Sequence, residues 1–395
     1  MKRVGVREST LIFAADSARP TWNDGTVRPM ASETRDQPEK AHRAKPRAAD
    51  VHREKTGTPQ FHLDSVVGGL SRFVLQALNP VANTLADLGV YAGCSTETLF
   101  PTPTGLPEVT ITSRWRLPGL ISEDLVFHSP HLPLEPNFKR RYDEQYRATQ
   151  TVYARRIRPA GASKRPRLLY LHGYMQPETL IEEFTLLTSM ALALNVEVIQ
   201  MQPPHHGRRA ARPSLFSGEF FWTADLVRSV EALRQTVIDA RALLRWLEAQ
   251  DARPVGLAGL SLGGALTLTL TCIEERFAFS IPVIAHMDLD ALVHDAPVLS
   301  KMRRDLKAFG WSRKEFSAFV QQLGWNELQP KLAADKVLLI AASDDRFFDP
   351  KVVARMWERW GKPAIQWYPT SHMGFLPYLP QTLGSMRAFI DAQAR

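Results

Sequence analysis

The sequence has little cysteine and no long apolar run. Only two cysteines, Cys94 and Cys272, occur in 395 residues, and they lie far apart in apolar surroundings. This excludes a small disulfide-stabilised scaffold, and we expect two buried, reduced thiols in a reducing compartment. No apolar stretch approaches the roughly 20 residues that a membrane-spanning helix needs. The sequence therefore predicts a cytoplasmic protein without a transmembrane segment.

Nucleotide-binding motifs are also absent. Neither G-x-G-x-x-G nor a P-loop occurs, so no nucleotide cofactor is expected. The net charge of +8 is divided between a segment over residues 1–60, with 12 Lys and Arg against 8 Asp and Glu, and the remainder, with 37 against 33. Because this excess is diffuse and small for the length of the chain, it gives no indication of a nucleic-acid partner.

The N-terminal region changes character near residue 61. Residues 1–60 are polar and show almost no apolar periodicity, which predicts a disordered tail. Their one short apolar piece, residues 10–15, is too short for a signal-peptide core, although a targeting segment or a start codon placed too far upstream stays open. Apolar residues then recur at helical spacing from Val66, so we expect a helical extension over 61–100 on a domain spanning 61–395.

The most informative stretch runs from Pro254 to Thr271. A short apolar run is followed by Gly-Leu-Ser-Leu-Gly around Ser261 and then by a second apolar run. This order predicts a strand, a sharp turn and a helix, with the serine hydroxyl exposed above a sheet. Gly259 and Gly263 occupy positions where a Cβ is expected to collide with the neighbouring strand and helix.

Around this stretch, apolar strands alternate with helical patterns. The alternation predicts an α/β fold with a mostly parallel sheet of about eight strands and helices on both faces. The strands 150–158 and 167–171 are expected to form an antiparallel edge before it. The helical block 289–333, which contains a capping box at Ser312 and Glu315, interrupts the alternation between two strands. Since ligands bind at the carboxyl edge of such sheets, this block is a predicted lid.

A serine nucleophile needs a base and an acid. Of the eleven histidines, only His372 lies beyond His294, and it directly follows the last predicted strand. It is therefore the predicted base. The strand ending at Ala342 is followed by Asp344 and Asp345, and the spacing favours Asp345 as the acid that orients the base. Asp344 is the next alternative, and Asp288 and Asp290 are more distant ones.

The oxyanion of an acyl-transfer reaction must be bound by backbone N–H groups. Leu262, at the start of the helix after the nucleophile, is predicted to supply one. Tyr174, in the segment His172-Gly173-Tyr174-Met175 after an earlier strand, is predicted to supply the other, with Met175 as the alternative.

A basic loop, His205-His206-Gly207-Arg208-Arg209, follows another strand and is expected at the same sheet edge. His206, Arg208 and Arg209 are candidates for binding a substrate carboxylate or phosphate. A solvated loop whose arginines pair with Glu219 or Asp225 explains the pattern equally well. No ligand spacing supports a metal site here.

These motifs resemble the serine hydrolases of the α/β-hydrolase superfamily. The resemblance rests on Leu171-His172-Gly173, the pentapeptide around Ser261, Asp345 and His372, in the chain order Ser, Asp, His. The loop 205–209, the segment 239–248 and the elbow are also similar to the alpha/beta-hydrolase-domain-containing protein 18 family. Dienelactone hydrolases share the core but carry Cys at the elbow, where this chain has Ser261.

The sequence thus predicts a serine hydrolase that cleaves a carboxylic ester or thioester, of a small and possibly lipid-like molecule, through an acyl-enzyme. No cofactor and no metal are expected. Two alternatives stay open: an acyltransferase that uses the same triad, and a non-catalytic binding protein of this fold.

Overall fold

A computed structural model describes residues 64, 66, 81–161 and 163–393. The predicted tail over 1–60 lies outside the described residues, as does most of the predicted helical pattern before residue 81. From residue 81 to 100, the extension consists of two one-turn helices and a short 3₁₀ turn.

The described residues form one open nine-stranded sheet, with β1 and β9 at its edges, in the order β1-β2-β3-β5-β4-β6-β7-β8-β9. The strands are β1 Thr110–Leu117, β2 Leu120–His128, β3 Thr151–Pro159, β4 Arg167–Leu171, β5 Glu197–Met201, β6 Val255–Leu260, β7 Ser280–Val283, β8 Leu338–Ala342 and β9 Ala364–Tyr368.

The helices cover both faces of this sheet. They are α1 Leu85–Leu88, α2 Thr96–Leu99, α3 Pro136–Gln145, α4 Leu180–Glu182, α5 Thr188–Ala193, α6 Leu226–Gln250, α7 Leu262–Ile273, α8 Leu289–Asp295, α9 Ser300–Ala308, α10 Arg313–Gln322, α11 Pro350–Arg359 and α12 Leu379–Gln393. In the described part of the chain, none of them combines the length and hydrophobicity needed to cross a bilayer.

The antiparallel part of the sheet differs from the prediction. β3 does not pair with β4; it pairs antiparallel with β5, and β4 lies between β5 and β6, parallel to both. The predicted pair was adjacent in sequence, but β4 is buried along its whole length and therefore takes an interior position. The antiparallel strands are β1, β2 and β3, which form a meander at one edge.

The helical segment after β4 begins at Leu180. Thr179 caps α4, because its hydroxyl accepts a hydrogen bond from the Glu182 amide at 3.1 Å. A π-helical turn, Glu183–Leu187, then joins α4 to α5. The Glu183 carboxylate in this turn is buried and accepts hydrogen bonds from Ser122 of β2 and Arg155 of β3. Pairing with the meander thus fixes the start of this helical segment.

The long helix α6 is buried almost throughout. Its charged residue Glu231 accepts hydrogen bonds from Tyr91 at 2.7 Å, His131 at 2.8 Å and the Leu134 amide at 2.8 Å. Burial would raise the pKa of Glu231, but the His131 hydrogen bond and the charge of Arg234 outweigh it and lower the pKa to about 2. The polar face of α6 is therefore covered by the residues before β3.

Helix α10 confirms a local prediction. The Ser312 hydroxyl accepts from the Glu315 amide at 3.2 Å, and the Glu315 carboxylate accepts from the Ser312 amide at 2.8 Å. These reciprocal bonds are the capping box. Together with α8 and α9, this helix makes up most of the block between β7 and β8, in which no strand occurs over residues 289–333.

Candidate active site

Ser261 lies at the turn between β6 and α7. Its backbone has φ +58° and ψ −116°, a region that non-glycine residues rarely adopt. Its amide donates to the Val283 carbonyl of β7 at 3.0 Å, which ties the turn to the neighbouring strand. The fold thus holds the serine in the strained conformation that a nucleophile elbow requires.

Close backbone packing on either side explains the two flanking glycines. A Cβ on Gly259 would lie 2.2 Å from the Gly263 carbonyl oxygen, and a Cβ on Gly263 would lie 1.9 Å from the Leu171 carbonyl oxygen of β4. Real Cβ atoms do not approach backbone so closely, so the predicted collision is confirmed. Without these glycines, α7 could not pack this close to β4.

Replacing Gly263 with alanine is predicted to destabilise the fold strongly, because the new methyl group collides with immobile backbone rather than with a flexible side chain. We expect a loss of about 3 kcal/mol or more in the free energy of unfolding, measured by urea denaturation. Gly384→Ala in α12 is the matched control, since a Cβ there meets nothing within 4 Å. Equal stability of the two variants would contradict the packing argument.

The side chains of Ser261, His372 and Asp345 form a hydrogen-bonded chain. His372 Nε2 lies 3.0 Å from Ser261 Oγ, and His372 Nδ1 lies 2.8 Å from Asp345 Oδ2. With its proton on Nδ1, His372 donates to the carboxylate and its Nε2 can accept the serine proton. Both His372 and Asp345 are buried.

Asp345 is held by its own loop. Its Oδ1 atom accepts hydrogen bonds from the backbone amides of Phe347 at 2.7 Å and Phe348 at 2.9 Å, which leaves Oδ2 for the histidine. The rings of Phe347 and Phe348 stack against His372, with centroid distances of 4.6 and 5.6 Å. The imidazole is therefore packed in one orientation.

The alternative carboxylates lie elsewhere. Asp344 is exposed, and its side chain accepts a long hydrogen bond of 3.3 Å from Ser343. Asp288 caps α8 through the Ala291 amide at 3.0 Å, and Asp290 accepts a hydrogen bond from Ser317 at 2.6 Å. The structure brings none of these three to His372.

The two predicted amide donors lie beside the serine. Leu262 is the first residue of α7, where amides have no acceptor within the helix. The backbone of Gly173 lies so close to Ser261 that a Cβ on Gly173 would be 3.7 Å from Ser261 Cβ. Tyr174 and Met175 follow Gly173 directly in the sequence. The turn that carries Tyr174 therefore lies next to Ser261.

A cavity of about 280 Å³ opens next to Ser261, and most of its lining is apolar. Part of the wall belongs to the block 289–333, through Leu292, Val298 and Leu299. The remaining lining residues are Tyr174, Met175, Trp222, Ser261, Leu262, Ala265, Phe347, Phe348, His372 and Met373. The predicted lid thus contributes side chains to the site.

The basic loop is not brought to this cavity. Arg209 is fully buried and donates to Asp239 at 2.7 Å and to the Gln202 carbonyl at 2.7 Å. Arg208 pairs with Asp124 at 3.0 Å, and its guanidinium lies 4.0 Å from the centroid of the Tyr153 ring. Neither arginine lines the cavity, and their acidic partners are not the predicted Glu219 and Asp225.

His206, the third candidate of this loop, is buried behind the cavity wall. Its ring contacts His172 at 5.2 Å and Tyr174 at 6.0 Å between centroids, and its Nδ1 lies 2.9 Å from the Pro204 carbonyl oxygen. Burial lowers the pKa of His172 to about 4 and the pKa values of His205 and His206 well below 6.5. Within the described ranges, no group of three or more metal-ligating side chains converges.

These buried neutral histidines predict acid lability. Each folded-state pKa lies below the unfolded value of 6.5, so the unfolded chain binds more protons as the pH falls. Their stability contribution is complete above pH 6.5 and is lost progressively as the pH falls from 6.5 toward 4. We expect the unfolding midpoint temperature to drop over this window.

Two variants test whether the buried histidines cause this pH dependence. His172→Gln removes one of the buried titrating groups, so the slope of the midpoint against pH should become shallower, whatever the absolute stability. His128→Gln, at an exposed histidine, should leave the slope unchanged. An unchanged slope in the His172 variant would contradict the assignment.

The chain is similar to two uncharacterized proteins of Mycobacterium tuberculosis. No family model matches the chain. The uncharacterized protein Rv2627c of Mycobacterium tuberculosis (strain ATCC 25618 / H37Rv) is 29% identical over 273 residues, which cover 67% of this chain and 61% of that protein. Uncharacterized protein MT2702 of strain CDC 1551 / Oshkosh matches with the same values. The chain thus spans about three fifths of the length of these curated relatives.

Among solved structures, the acetyl xylan esterase from Paenibacillus sp. R4 superimposes with a TM-score of 0.54. The match covers 82% of this chain and 99% of that structure at 15% identity. The chain has the α/β-hydrolase fold. The predicted mostly parallel sheet with helices on both faces is thereby confirmed, with nine strands where about eight were expected. The closer resemblance to the alpha/beta-hydrolase-domain-containing protein 18 family stays a prediction.

Proposed function

We propose that this protein is a serine hydrolase that cleaves a carboxylic ester or thioester through an acyl-enzyme intermediate. The observation that supports it most is the hydrogen-bonded chain Ser261–His372–Asp345 at the wall of an apolar cavity. A strained serine, a base at 3.0 Å and an acid that orients the base are the parts that acyl transfer needs.

In the first half-reaction, Ser261 Oγ attacks the acyl carbon while His372 Nε2 accepts the hydroxyl proton. The carbonyl oxygen becomes an oxyanion, which the amides of Leu262 and Tyr174 bind. The tetrahedral intermediate then collapses, the bond to the leaving oxygen or sulfur breaks, and His372 returns the proton to that atom. Asp345 stabilises the imidazolium while it exists.

In the second half-reaction, a water molecule replaces the leaving group. His372 Nε2 accepts a proton from this water as its oxygen attacks the acyl carbon. Collapse of the second intermediate breaks the bond to Ser261 Oγ, and the proton returns to that oxygen. If an alcohol enters in place of water, the same residues transfer the acyl group, so a competing alcohol in the assay measures the partition.

The nature of the cavity supports a small acyl substrate. Its lining includes Leu292, Val298, Phe347 and Phe348 and offers few polar atoms besides the catalytic ones. The Paenibacillus structure that superimposes on this chain is an acetyl xylan esterase, which is consistent with ester cleavage on this fold. A non-catalytic binding protein would not need the hydroxyl, imidazole and carboxylate aligned at 3.0 and 2.8 Å.

Ser261→Ala is expected to abolish hydrolysis of p-nitrophenyl butyrate, with a fall in kcat of at least about 10⁴-fold, because the nucleophile is lost. Circular dichroism checks that the fold is retained. Ester hydrolysis that persists near the wild-type rate in folded Ser261→Ala protein would contradict the proposal.

The two neighbouring aspartates provide a matched pair. Asp345→Asn should lower kcat by about 10³-fold or more, because an amide can hold the imidazole in the wrong tautomer. Asp344→Asn removes an exposed carboxylate one residue away and should leave kcat within about twofold. Equal loss in both variants, or none in either, would exclude Asp345 as the orienting acid.

Ala265 allows a test of what the cavity holds. It lies one helical turn after Ser261 and lines the cavity, so Ala265→Leu fills part of that space. For p-nitrophenyl octanoate we expect kcat/KM to fall about tenfold or more, with the acetate ester changing by less than about threefold. An equal effect on both esters would indicate that the acyl chain does not occupy this cavity.

A further inference from the structure

A buried carboxylate outside the triad contacts both loops that carry the base and the acid. This carboxylate belongs to Asp64, which lies 17 residues before Val81 in the sequence. Its side chain is fully buried against these loops. Its Oδ1 accepts a hydrogen bond from the Met373 amide at 2.8 Å, and its Oδ2 accepts one from the His372 amide at 3.1 Å. A longer bond of 3.4 Å reaches Oδ2 from the Arg346 amide.

These three amides belong to two different loops. Arg346 directly follows Asp345 after β8, whereas His372 and Met373 follow β9. One carboxylate therefore bridges the loop of the acid and the loop of the base. The bridge acts on the backbone of His372 itself and on the residue next to Asp345.

We propose that Asp64 is a positioning residue that holds the His372 and Asp345 loops at their catalytic separation. The inference rests on the proposed function, because it assigns Asp64 a part in the same reaction. Asp64 does not line the cavity, so it touches no substrate. Its effect passes through the backbone to the 2.8 Å bond between His372 Nδ1 and Asp345 Oδ2.

The charge and symmetry of a carboxylate suit this role. Both oxygens accept, and hydrogen bonds from backbone N–H groups to an ionised acceptor are shorter and stronger than neutral ones. An asparagine at position 64 has one accepting oxygen and one amide nitrogen. The nitrogen would face a backbone N–H group, from which it cannot accept a hydrogen bond. Asp64→Asn therefore disrupts the bridge while nearly preserving volume, because either the Met373 bond or the His372 and Arg346 bonds are lost.

Loss of the bridge should lower kcat and leave KM nearly unchanged. A misplacement of catalytic groups by about 1 Å can cost about 100-fold in rate, so a fall of about 10- to 100-fold is expected for Asp64→Asn. KM should stay within about twofold, because the cavity walls are not altered. A residue that only stabilised the fold would change the amount of active protein instead of the rate constant per site.

The experiment uses full-length wild-type protein, Asp64→Asn and, as matched control, Asp87→Asn. Asp87 is also an aspartate of the N-terminal region whose carboxylate accepts a backbone N–H bond, from Thr84 at 2.7 Å, but it contacts neither loop. Steady-state kinetics with p-nitrophenyl butyrate give kcat and KM. The first-order rate constant of fluorophosphonate labelling gives Ser261 reactivity per folded site, whatever fraction of the protein is folded.

Proton NMR adds a direct readout of the bond between base and acid. The Nδ1 proton that His372 donates to Asp345 should give a downfield resonance in the wild type and in Asp87→Asn. This resonance should shift or broaden in Asp64→Asn, because the two loops no longer hold a fixed separation.

The outcomes separate this inference from the proposed function. A 10- to 100-fold slower labelling rate and kcat in Asp64→Asn, with KM and the control unchanged, supports the positioning role. Wild-type rates and an unshifted resonance in Asp64→Asn overturn that role but leave the hydrolase proposal intact. Wild-type protein that neither hydrolyses esters nor reacts with the probe overturns the proposed function, on which this inference rests.

Discussion

The contact of the helix α7 with the strand β4 is the constraint on which the rest of the site depends. Gly263 brings α7 against the Leu171 carbonyl so closely that any side chain would collide with it. Ser261, two residues before Gly263, has positive φ at the carboxyl edge of the sheet. The contact between α7 and β4 also places the turn after β4, with Gly173 and Tyr174, beside the serine. One backbone contact thus places both the Ser261 hydroxyl and the turn that carries Tyr174, the amide donor in the proposed mechanism.

The neighbouring strands supply the remaining groups by their order. β8 and β9 lie beyond β7, parallel to β6, so the loops after them reach the same edge as Ser261. The meander β1–β3 contributes no residue to the lining of the cavity at this edge. Residues before and between these strands, among them Tyr91 and His131, instead cover the polar face of α6, where Glu231 and Arg234 are buried. Asp64 is the proposed link between the N-terminal part of the chain and the loops of the candidate site.

The sequence was sufficient for features that depend on local pattern or on strand order. The elbow, the placement of His372 and Asp345 after adjacent strands, and the Ser312 cap all belong to this class. The sequence was not sufficient where the structure depends on burial or on contacts between residues that are far apart in the chain. The interior position of β4 depends on its burial. Helix α3 is strongly polar, and its only sequence signal is Glu135 and Pro136 at its start. The arginines of the basic loop pair with Asp124 and Asp239, which are far away in sequence. Asp64 left no signal either, since it binds backbone amides.

In the proposed mechanism, Ser261 is the nucleophile of a covalent reaction. The most direct measurement is mass spectrometry of the wild-type protein after reaction with a fluorophosphonate, followed by peptide mapping. We expect one phosphonyl group per chain, located on the peptide that contains Ser261 and absent when the protein is denatured before labelling. Modification at another residue, or an unmodified chain after prolonged reaction of the folded protein, would contradict it.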